Sequence, residues 1–126
     1  MKAARVLIVD DSSVMRKIVG RSLRQAGLEI TEVLEASNGS EALSSVKEHS
    51  PDLILSDINM PQMDGLEFVR QLRCMEAAKD TPVVMITTEA GEGHVVQALN
   101  AGASGYIKKP FTPEQIKQRI LPLLRG

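Results

Sequence analysis

Short apolar runs alternate with stretches of helical periodicity along this chain, and this alternation restricts the fold more than any other feature. The runs cover residues 6–9, 33–34, 53–55, 83–86 and 106–107. Three of them are almost continuously apolar, which is typical of strands covered by helices on both faces. The alternation predicts parallel strands with right-handed crossovers, and hence a doubly wound α/β sheet of five strands and five helices.

The stretches between the runs carry the start and stop signals of helices. Residues 13–26 place apolar side chains on one predicted stripe, and Gly27 is a stop signal. The members of that stripe are Val14, Ile18, Val19 and Leu23. Val95, Val96 and Leu99 indicate a shorter helix that Gly102 ends.

Three of the predicted helices begin with a recognisable capping pattern. The pairs are Asn38 with Glu41, Asp64 with Glu67, and Thr112 followed by Pro113. Pro122 lies near the end of the last predicted helix, where it is expected to kink or stop the helix.

Length and charge limit the class of protein. The chain has 126 residues, 43% of them hydrophobic, and a formal net charge of −1. We therefore expect one domain over residues 1–126 and no nucleic acid partner. The N-terminus lacks a signal-peptide pattern, no apolar run approaches the roughly 20 residues that cross a bilayer, and Cys74 has no partner for an internal disulfide. A cytoplasmic protein that does not insert into membranes is expected.

Acidic side chains follow two of the predicted strands where each strand ends. Asp10 and Asp11 come after the first strand, and Asp57 ends the third. Because ligands of open parallel sheets bind beyond the carboxyl ends of the strands, these carboxylates are expected to converge. They would repel one another unless a cation neutralised them, and Mg²⁺ is the hard cation that such oxygen ligands suit. The alternative is that Asp10 or Asp11 only caps the following helix.

A hydroxyl and an ammonium group are predicted at the same edge. Thr87 and Thr88 follow the fourth strand, and Lys109 ends the fifth, just before Pro110. Period-two alternation makes Lys108 a weaker candidate than Lys109. A carboxylate nucleophile, a divalent cation, a lysine and a hydroxyl together indicate phosphoryl transfer to aspartate.

Three segments resemble the receiver domains of two-component response regulators. They are residues 6–11 (VLIVDD), 56–65 (SDINMPQMDG) and 101–111 (AGASGYIKKPF). The resemblance extends from Arg5 to about Leu124 and is greatest to the single-domain chemotaxis regulators. It implies a flavodoxin-like sheet of strand order 2-1-3-4-5 and a receiver domain without an output domain.

The resemblance also implies a role for each candidate residue. Asp57 would accept a phosphoryl group from a histidine kinase. Asp11 and Asp57 would bind Mg²⁺, or Mn²⁺ in its place, together with the backbone carbonyl of Asn59, and Asp10 would act mostly through water. The remaining candidates would bind the phosphate or respond to it; they are Thr87, Thr88, Tyr106 and Lys109.

The partners implied by the resemblance are proteins. A target, with the flagellar motor switch as one candidate, would read the surface of the fourth helix, fifth strand and fifth helix, and a phosphatase would be a further partner. The regulator itself is expected to be a monomer and not an enzyme, beyond taking phosphate from donors and losing it again.

Two other functions use related chemistry. A phosphorelay carrier would pass the phosphate from Asp57 to a histidine phosphotransfer protein. An aspartyl-phosphate phosphatase commonly has an acidic residue two positions after its nucleophile, as general acid. Asn59 stands at that position and cannot donate the proton, which disfavours the phosphatase.

Overall fold

The predicted alternation of strands and helices is confirmed in a computed structural model, which describes residues 4–58, 65–87, 92–109 and 111–124. The elements are β1 (Ala4–Val9), α1 (Ser13–Gln25), β2 (Ile30–Ala36), α2 (Gly39–His49), β3 (Leu53–Asp57), α3 (Gly65–Arg73), β4 (Val83–Thr87), α4 (Glu92–Ala101), β5 (Gly105–Lys108) and α5 (Pro113–Leu124). A 3₁₀ turn over Glu76–Ala78 was not predicted. Across these ranges, every helix falls short of the length and hydropathy that a membrane span requires.

The five strands form one parallel sheet in the order β2-β1-β3-β4-β5, as the family resemblance implied. Its register sets the height of each strand end. Val9 of β1 pairs with Ser56 of β3, so the residues that follow them, Asp10 and Asp57, come level at the carboxyl edge. Thr87 at the end of β4 pairs with Lys108 of β5. The ends of β1, β3, β4 and β5 therefore lie at the same edge of the sheet.

The sheet separates two layers of buried side chains. Leu7 of β1 and Ile54 of β3 face a cluster that includes residues of α2, α3 and α4. Their neighbours Ile8 and Leu55 face the opposite cluster, which includes residues of α1 and α5. Since helices cover both faces, successive strand residues are all buried, which accounts for the continuously apolar runs in the sequence.

The predicted stripe of α1 was wrong in two of its members. Val19 and Leu23 are buried, but Val14 is 66% exposed and Ile18 is 43% exposed. Neighbouring residues point about 100° apart around a helix, so Ile18 and Val19 cannot both lie on one narrow face. The helix packs through Val19, Gly20 and Leu23 instead. Gly27, with a φ of 83°, ends this segment as predicted.

The capping predictions agree with the structure wherever it describes them. Asn38 Oδ1 accepts a hydrogen bond from the Glu41 N–H at 2.8 Å, and Thr112 Oγ1 accepts one from Gln115 N at 3.2 Å. Gly102 has a φ of 119° directly after α4, as its predicted stop role requires. Asp64, the third predicted cap, lies outside the described residues.

Pro122 does not stop α5, which continues through it to Leu124. A proline removes one main-chain hydrogen bond from a helix interior. Here Pro122 lies in the last turn, between the buried side chains of Ile120 and Leu124. Burial of these two side chains offsets the lost bond, because each buried aliphatic side chain contributes about 1.5–3 kcal/mol.

Candidate functional site

The three predicted carboxylates converge at the carboxyl edge of the sheet. Asp10, Asp11 and Asp57 each offer one carboxylate oxygen, and these oxygens all lie within 4.8 Å of one another. Asp57 is the last residue of β3, whereas Asp10 and Asp11 lie in the turn between β1 and α1. Asp10 is buried, Asp57 is half-buried and Asp11 is exposed. The cluster therefore opens to solvent on one side and is closed on the other.

Asp10 is fixed by its own main chain and by one carboxylate oxygen. Its N–H donates to the Ala36 carbonyl at 3.1 Å, and its carbonyl accepts from Arg16 Nη1 at 2.6 Å. Oδ1 accepts from the Ser12 N–H at 2.9 Å. Ser12 in turn caps α1 by accepting from the Met15 N–H. Part of the capping alternative is thus correct: one oxygen of Asp10 supports the turn before the helix.

The second oxygen of Asp10 serves no such purpose. Oδ2 is buried in a residue that is 3% exposed, and it has no hydrogen-bond partner among the described residues. Lys109 Nζ lies 3.7 Å from it, as an ion pair. A buried carboxylate oxygen without a hydrogen bond is costly unless a cation compensates it. The donor set thus fits a hard divalent cation.

The pKa of Asp10 is raised, chiefly because burial penalises the charged carboxylate. The hydrogen bond from Ser12 and the charge of Lys109 act in the opposite direction, and the neighbouring Asp11 raises the pKa further. Metal binding requires the deprotonated carboxylate. A bound cation would offset the cost of burying the charged carboxylate and would reduce its repulsion by Asp11.

Thr87 and Lys109 lie beside this cluster. The Lys109 N–H donates to the Thr87 carbonyl at 2.6 Å, which joins the end of β5 to the end of β4. Thr87 is buried, and the Lys109 side chain is about four-fifths buried, with 21% exposed. The described contact of the Lys109 ammonium is with Asp10; its predicted interaction with Asp57 or a phosphate stays a prediction. Asn59, Thr88 and Pro110 lie outside the described residues.

Tyr106 lies on β5 and is partly buried against the cluster beneath α2, α3 and α4. The Arg119 guanidinium of α5 is positioned over its ring, 5.3 Å from the centroid. Both side chains line a groove of about 270 Å³ between β5 and α5. The other lining residues are Ile107, Lys108, Gln115 and Gln118.

Sequence reasoning missed the parts played by Arg16 and Arg119. Arg16 reaches Asp10 from the first turn of α1, and Arg119 reaches Tyr106 from α5. Neither arginine belongs to a motif, and each contact depends on how a helix is placed against the sheet. A basic residue on a helix is otherwise most simply interpreted as a solvated surface residue.

Comparison with known proteins agrees with this geometry. The model of the response regulator receiver domain family matches residues 6–121. A chemotaxis protein CheY homolog of Campylobacter jejuni is 41% identical over 121 residues, which is 95% of this chain and 92% of the relative. Chemotaxis protein CheY1 of Helicobacter pylori strain J99 is 43% identical over 117 residues, which is 92% of this chain and 93% of the relative.

Solved structures give the same result. The chemotaxis response regulator CheY4 of Vibrio cholerae has a TM-score of 0.84 to this chain at 39% identity, and the match covers 98% of this chain and 100% of that one. The match therefore spans almost the whole of this chain. The chain belongs to the receiver domains of two-component response regulators, and it is of the CheY type.

Proposed function

We propose that this protein is a phosphorylation-activated switch in which Asp57 accepts a phosphoryl group from a histidine kinase with the help of Mg²⁺ or Mn²⁺. The switch changes a surface formed by α4, β5 and α5, and a target protein of a chemotaxis pathway reads that surface. The protein works as a cytoplasmic monomer. It is not an enzyme beyond accepting phosphate from donors and losing it to water.

The observation that carries the proposal is the buried Asp10 Oδ2, to which none of the described residues donates a hydrogen bond. It lies within a group of three carboxylates whose oxygens lie within 4.8 Å of one another. Three like charges at this spacing are unfavourable in a protein that has no cation to bind there. Asp11 and Asp57 would hold the cation with the Asn59 carbonyl, and Asp10 would act mostly through water. When bound, the cation would offset negative charge on the transferring phosphoryl oxygens.

The proposed transfer uses Asp57 as the nucleophile. One carboxylate oxygen of Asp57 forms a bond to phosphorus as the phosphorus–nitrogen bond of the donor phosphohistidine breaks, and the leaving imidazole keeps the electron pair and takes up a proton. Asp57 is half-buried at a strand end, so it is held in place and still accessible to a donor. Lys109, which already lies at the acidic cluster, would then pair with the added phosphate.

The proposed output follows from the position of β5. Thr87 accepts the Lys109 N–H through its carbonyl, so β4 and β5 are joined directly beside the site. A Thr87 hydroxyl drawn to the phosphate and a Lys109 drawn to the same group would both pull on the carboxyl end of β5. Tyr106 lies on that strand and would move inward, which changes the groove between β5 and α5. Phosphorylation would thus favour one of two packings.

The test is labelling by radioactive acetyl phosphate in the presence and absence of Mg²⁺. Wild type is expected to incorporate label only with the cation, and Asp57→Asn is expected to incorporate none. Asp52→Asn is a matched control, because Asp52 precedes the same strand at its opposite end, where its Oδ2 accepts from the Arg5 N–H at 2.9 Å. The control is expected to be labelled like wild type.

Equal labelling of Asp57→Asn and wild type would exclude Asp57 as the acceptor. A chase with unlabelled donor then distinguishes the switch from a relay. Release of the label as inorganic phosphate supports the switch, whereas transfer to an added histidine phosphotransfer protein supports the relay carrier.

A further inference from the structure

Arg16 links the acidic cluster to the neighbouring strand β2. Its Nη1 donates to the Asp10 carbonyl at 2.6 Å, and its Nε donates to Glu35 Oε1 at 2.8 Å. The side chain is only 15% exposed, although it starts from an otherwise solvent-facing part of α1. A planar guanidinium can hold two acceptors at fixed angles in this way, whereas an ammonium cannot.

We propose that Arg16 is a positioning residue of the cation site: held by Glu35, it fixes the Asp10 main chain in the geometry that binds the ion. The inference rests on the proposed function, because it assigns Arg16 to the same site. It adds a residue that touches neither the cation nor the phosphate.

Hydrogen bonds form a closed ring of contacts around Asp10. The Asp10 N–H donates to the Ala36 carbonyl at 3.1 Å, and the Asp10 carbonyl accepts from Arg16. Arg16 is bound to Glu35, the residue directly before Ala36 on β2. Both main-chain polar groups of Asp10 are therefore anchored to adjacent residues of one strand. Removal of Arg16 breaks this ring of contacts and leaves the Asp10 carbonyl without this donor.

Glu35 is itself held in its charged form. Lys17 Nζ lies 2.6 Å from Oε2, and Lys17 and Arg16 together lower the pKa of Glu35, with the hydrogen bond from Lys17 as the largest cause. Glu35 can therefore orient the guanidinium throughout the neutral pH range. Lys17 is 72% exposed and does not reach Asp10 through any described contact, so it supports Glu35 without serving the site directly.

Positioning and simple electrostatics predict opposite results for the loss of Arg16. Removal of a positive charge beside three carboxylates makes the local potential more negative, which by itself strengthens the binding of a divalent cation. Removal of a positioning contact weakens it, since outer residues that orient metal ligands typically contribute a factor of about 10–100 in affinity. Whether loss of Arg16 strengthens or weakens Mg²⁺ binding therefore distinguishes electrostatics from positioning.

The chain contains a matched control at the other end of the same two strands. Arg5 of β1 bridges Glu32 of β2, with Nε 2.9 Å from Oε1, and also donates to the His49 carbonyl. It thus repeats the arrangement of Arg16 with a glutamate and a main-chain carbonyl, but at the amino end of the sheet, away from the carboxylates. Arg5→Ala removes a comparable set of contacts from the fold without touching the site.

The experiment measures Mg²⁺ binding by isothermal titration calorimetry in wild type, Arg16→Ala, Arg16→Lys, Lys17→Ala and Arg5→Ala. Thermal unfolding without Mg²⁺ is recorded for each. We expect the dissociation constant to rise roughly tenfold or more in Arg16→Ala and by a smaller factor in Arg16→Lys. It should stay unchanged in Arg5→Ala, and stay unchanged or fall slightly in Lys17→Ala. Acetyl phosphate labelling of Arg16→Ala should recover as Mg²⁺ is raised.

Tighter or unchanged Mg²⁺ binding in Arg16→Ala would overturn the inference, as would an equal loss in Arg5→Ala. If Arg16→Ala does not fold, Arg16→Lys decides the matter. It keeps the charge but loses the planar guanidinium, so electrostatics alone predicts unchanged Mg²⁺ binding and positioning predicts weaker binding. The failure of the proposed function itself looks different: wild type would then not bind Mg²⁺ at all.

Discussion

The Arg119 guanidinium lies 5.3 Å from the centroid of the Tyr106 ring, so α5 holds the aromatic side chain of β5 in its present position. A cation over an aromatic face at an exposed site contributes about 0.5–1 kcal/mol. An inward movement of Tyr106 would break this contact. Arg119 would thus oppose activation by an amount small enough for phosphorylation to overcome.

Arg119→Ala is therefore expected to shift Tyr106 toward its activated position before any phosphate is added. Tyr106 is the one tyrosine of a chain that has no tryptophan, so intrinsic tyrosine fluorescence reports on it alone. The fluorescence of unmodified Arg119→Ala should lie closer to that of beryllofluoride-treated wild type. Arg119→Lys, which keeps a cation, should lie between the two. Identical spectra for wild type and Arg119→Ala would show that the contact does not restrain the ring.

Asp10 gives a prediction for the dependence of stability on pH. Its pKa in the folded protein is raised above the ordinary value of 3.8. Between the unfolded and folded values the native state binds more protons, so the free energy of unfolding falls as pH rises through this window. Glu35 and Glu41 have lowered pKa values and contribute in the opposite direction. The fall should therefore appear in the difference between the urea unfolding free energies of metal-free wild type and Asp10→Asn, measured from acid to neutral pH. Asp10→Asn should remove that contribution and be more stable than wild type at neutral pH.

Mg²⁺ should restore the free energy of unfolding that wild type loses as pH rises. At a free concentration one hundred times the dissociation constant, a bound ligand raises the free energy of unfolding by about 2.7 kcal/mol. Asp10→Asn should gain much less, because it lacks one of the charges that attract the ion. A Mg²⁺ stabilisation as large in Asp10→Asn as in wild type would speak against this account of the site.

Lys109→Ala should separate phosphate acceptance from the switch. The variant retains Asp57 and the acidic cluster, so we expect it to be labelled by acetyl phosphate with Mg²⁺. It lacks the ammonium that lies 3.7 Å from Asp10 Oδ2, and so cannot draw the end of β5 toward the phosphate. Beryllofluoride should therefore change its tyrosine fluorescence much less than that of wild type. A full fluorescence response in Lys109→Ala would remove Lys109 from the switch.

A side chain at Gly65 should destabilise the protein, because Gly65 packs against the strand that carries Asp57. A Cβ at this position would lie 2.7 Å from the Asp57 carbonyl oxygen and 2.8 Å from Ile58 Cα, both of them backbone atoms. Gly65→Ala is expected to lose about 1–3 kcal/mol of stability through overpacking and to be labelled more slowly.

Gly105→Ala is the control for Gly65→Ala, since a Cβ at Gly105 would meet nothing within 4 Å. Its stability to urea and its labelling rate should match those of wild type. If the two alanine variants behave alike, close packing at Gly65 is not what positions Asp57.

The sequence predicted the parts of the site that depend on strand ends. Asp10 follows β1 and Asp57 ends β3, and parallel strands bring their carboxyl ends together whatever the details of packing. The order of the strands came from family resemblance, because alternation of elements does not by itself fix which strands are neighbours. The distances between the side chains of the site could be obtained only from the structure.

Helix faces were harder to predict than strand ends. Val14 and Ile18 are apolar and spaced like core residues, yet they are exposed, because α1 contacts the sheet through Val19 and Leu23. Several apolar stripes can be drawn on one helix, and only its placement on the sheet selects the buried one. Arg16 lies on this same helix and escaped notice for the same reason.

The order of the strands also divides the protein mechanically. β1 and β3 occupy the interior of the sheet, with a hydrogen-bonded strand on each side, whereas β5 is an edge strand of four residues bonded to β4 alone. Asp57 thus lies on a strand that is hydrogen-bonded on both sides, whereas Tyr106 lies on a short edge strand. In the proposed switch, a change at Asp57 would therefore displace β5 more readily than β1 or β3, which would have to break hydrogen bonds on two sides to move.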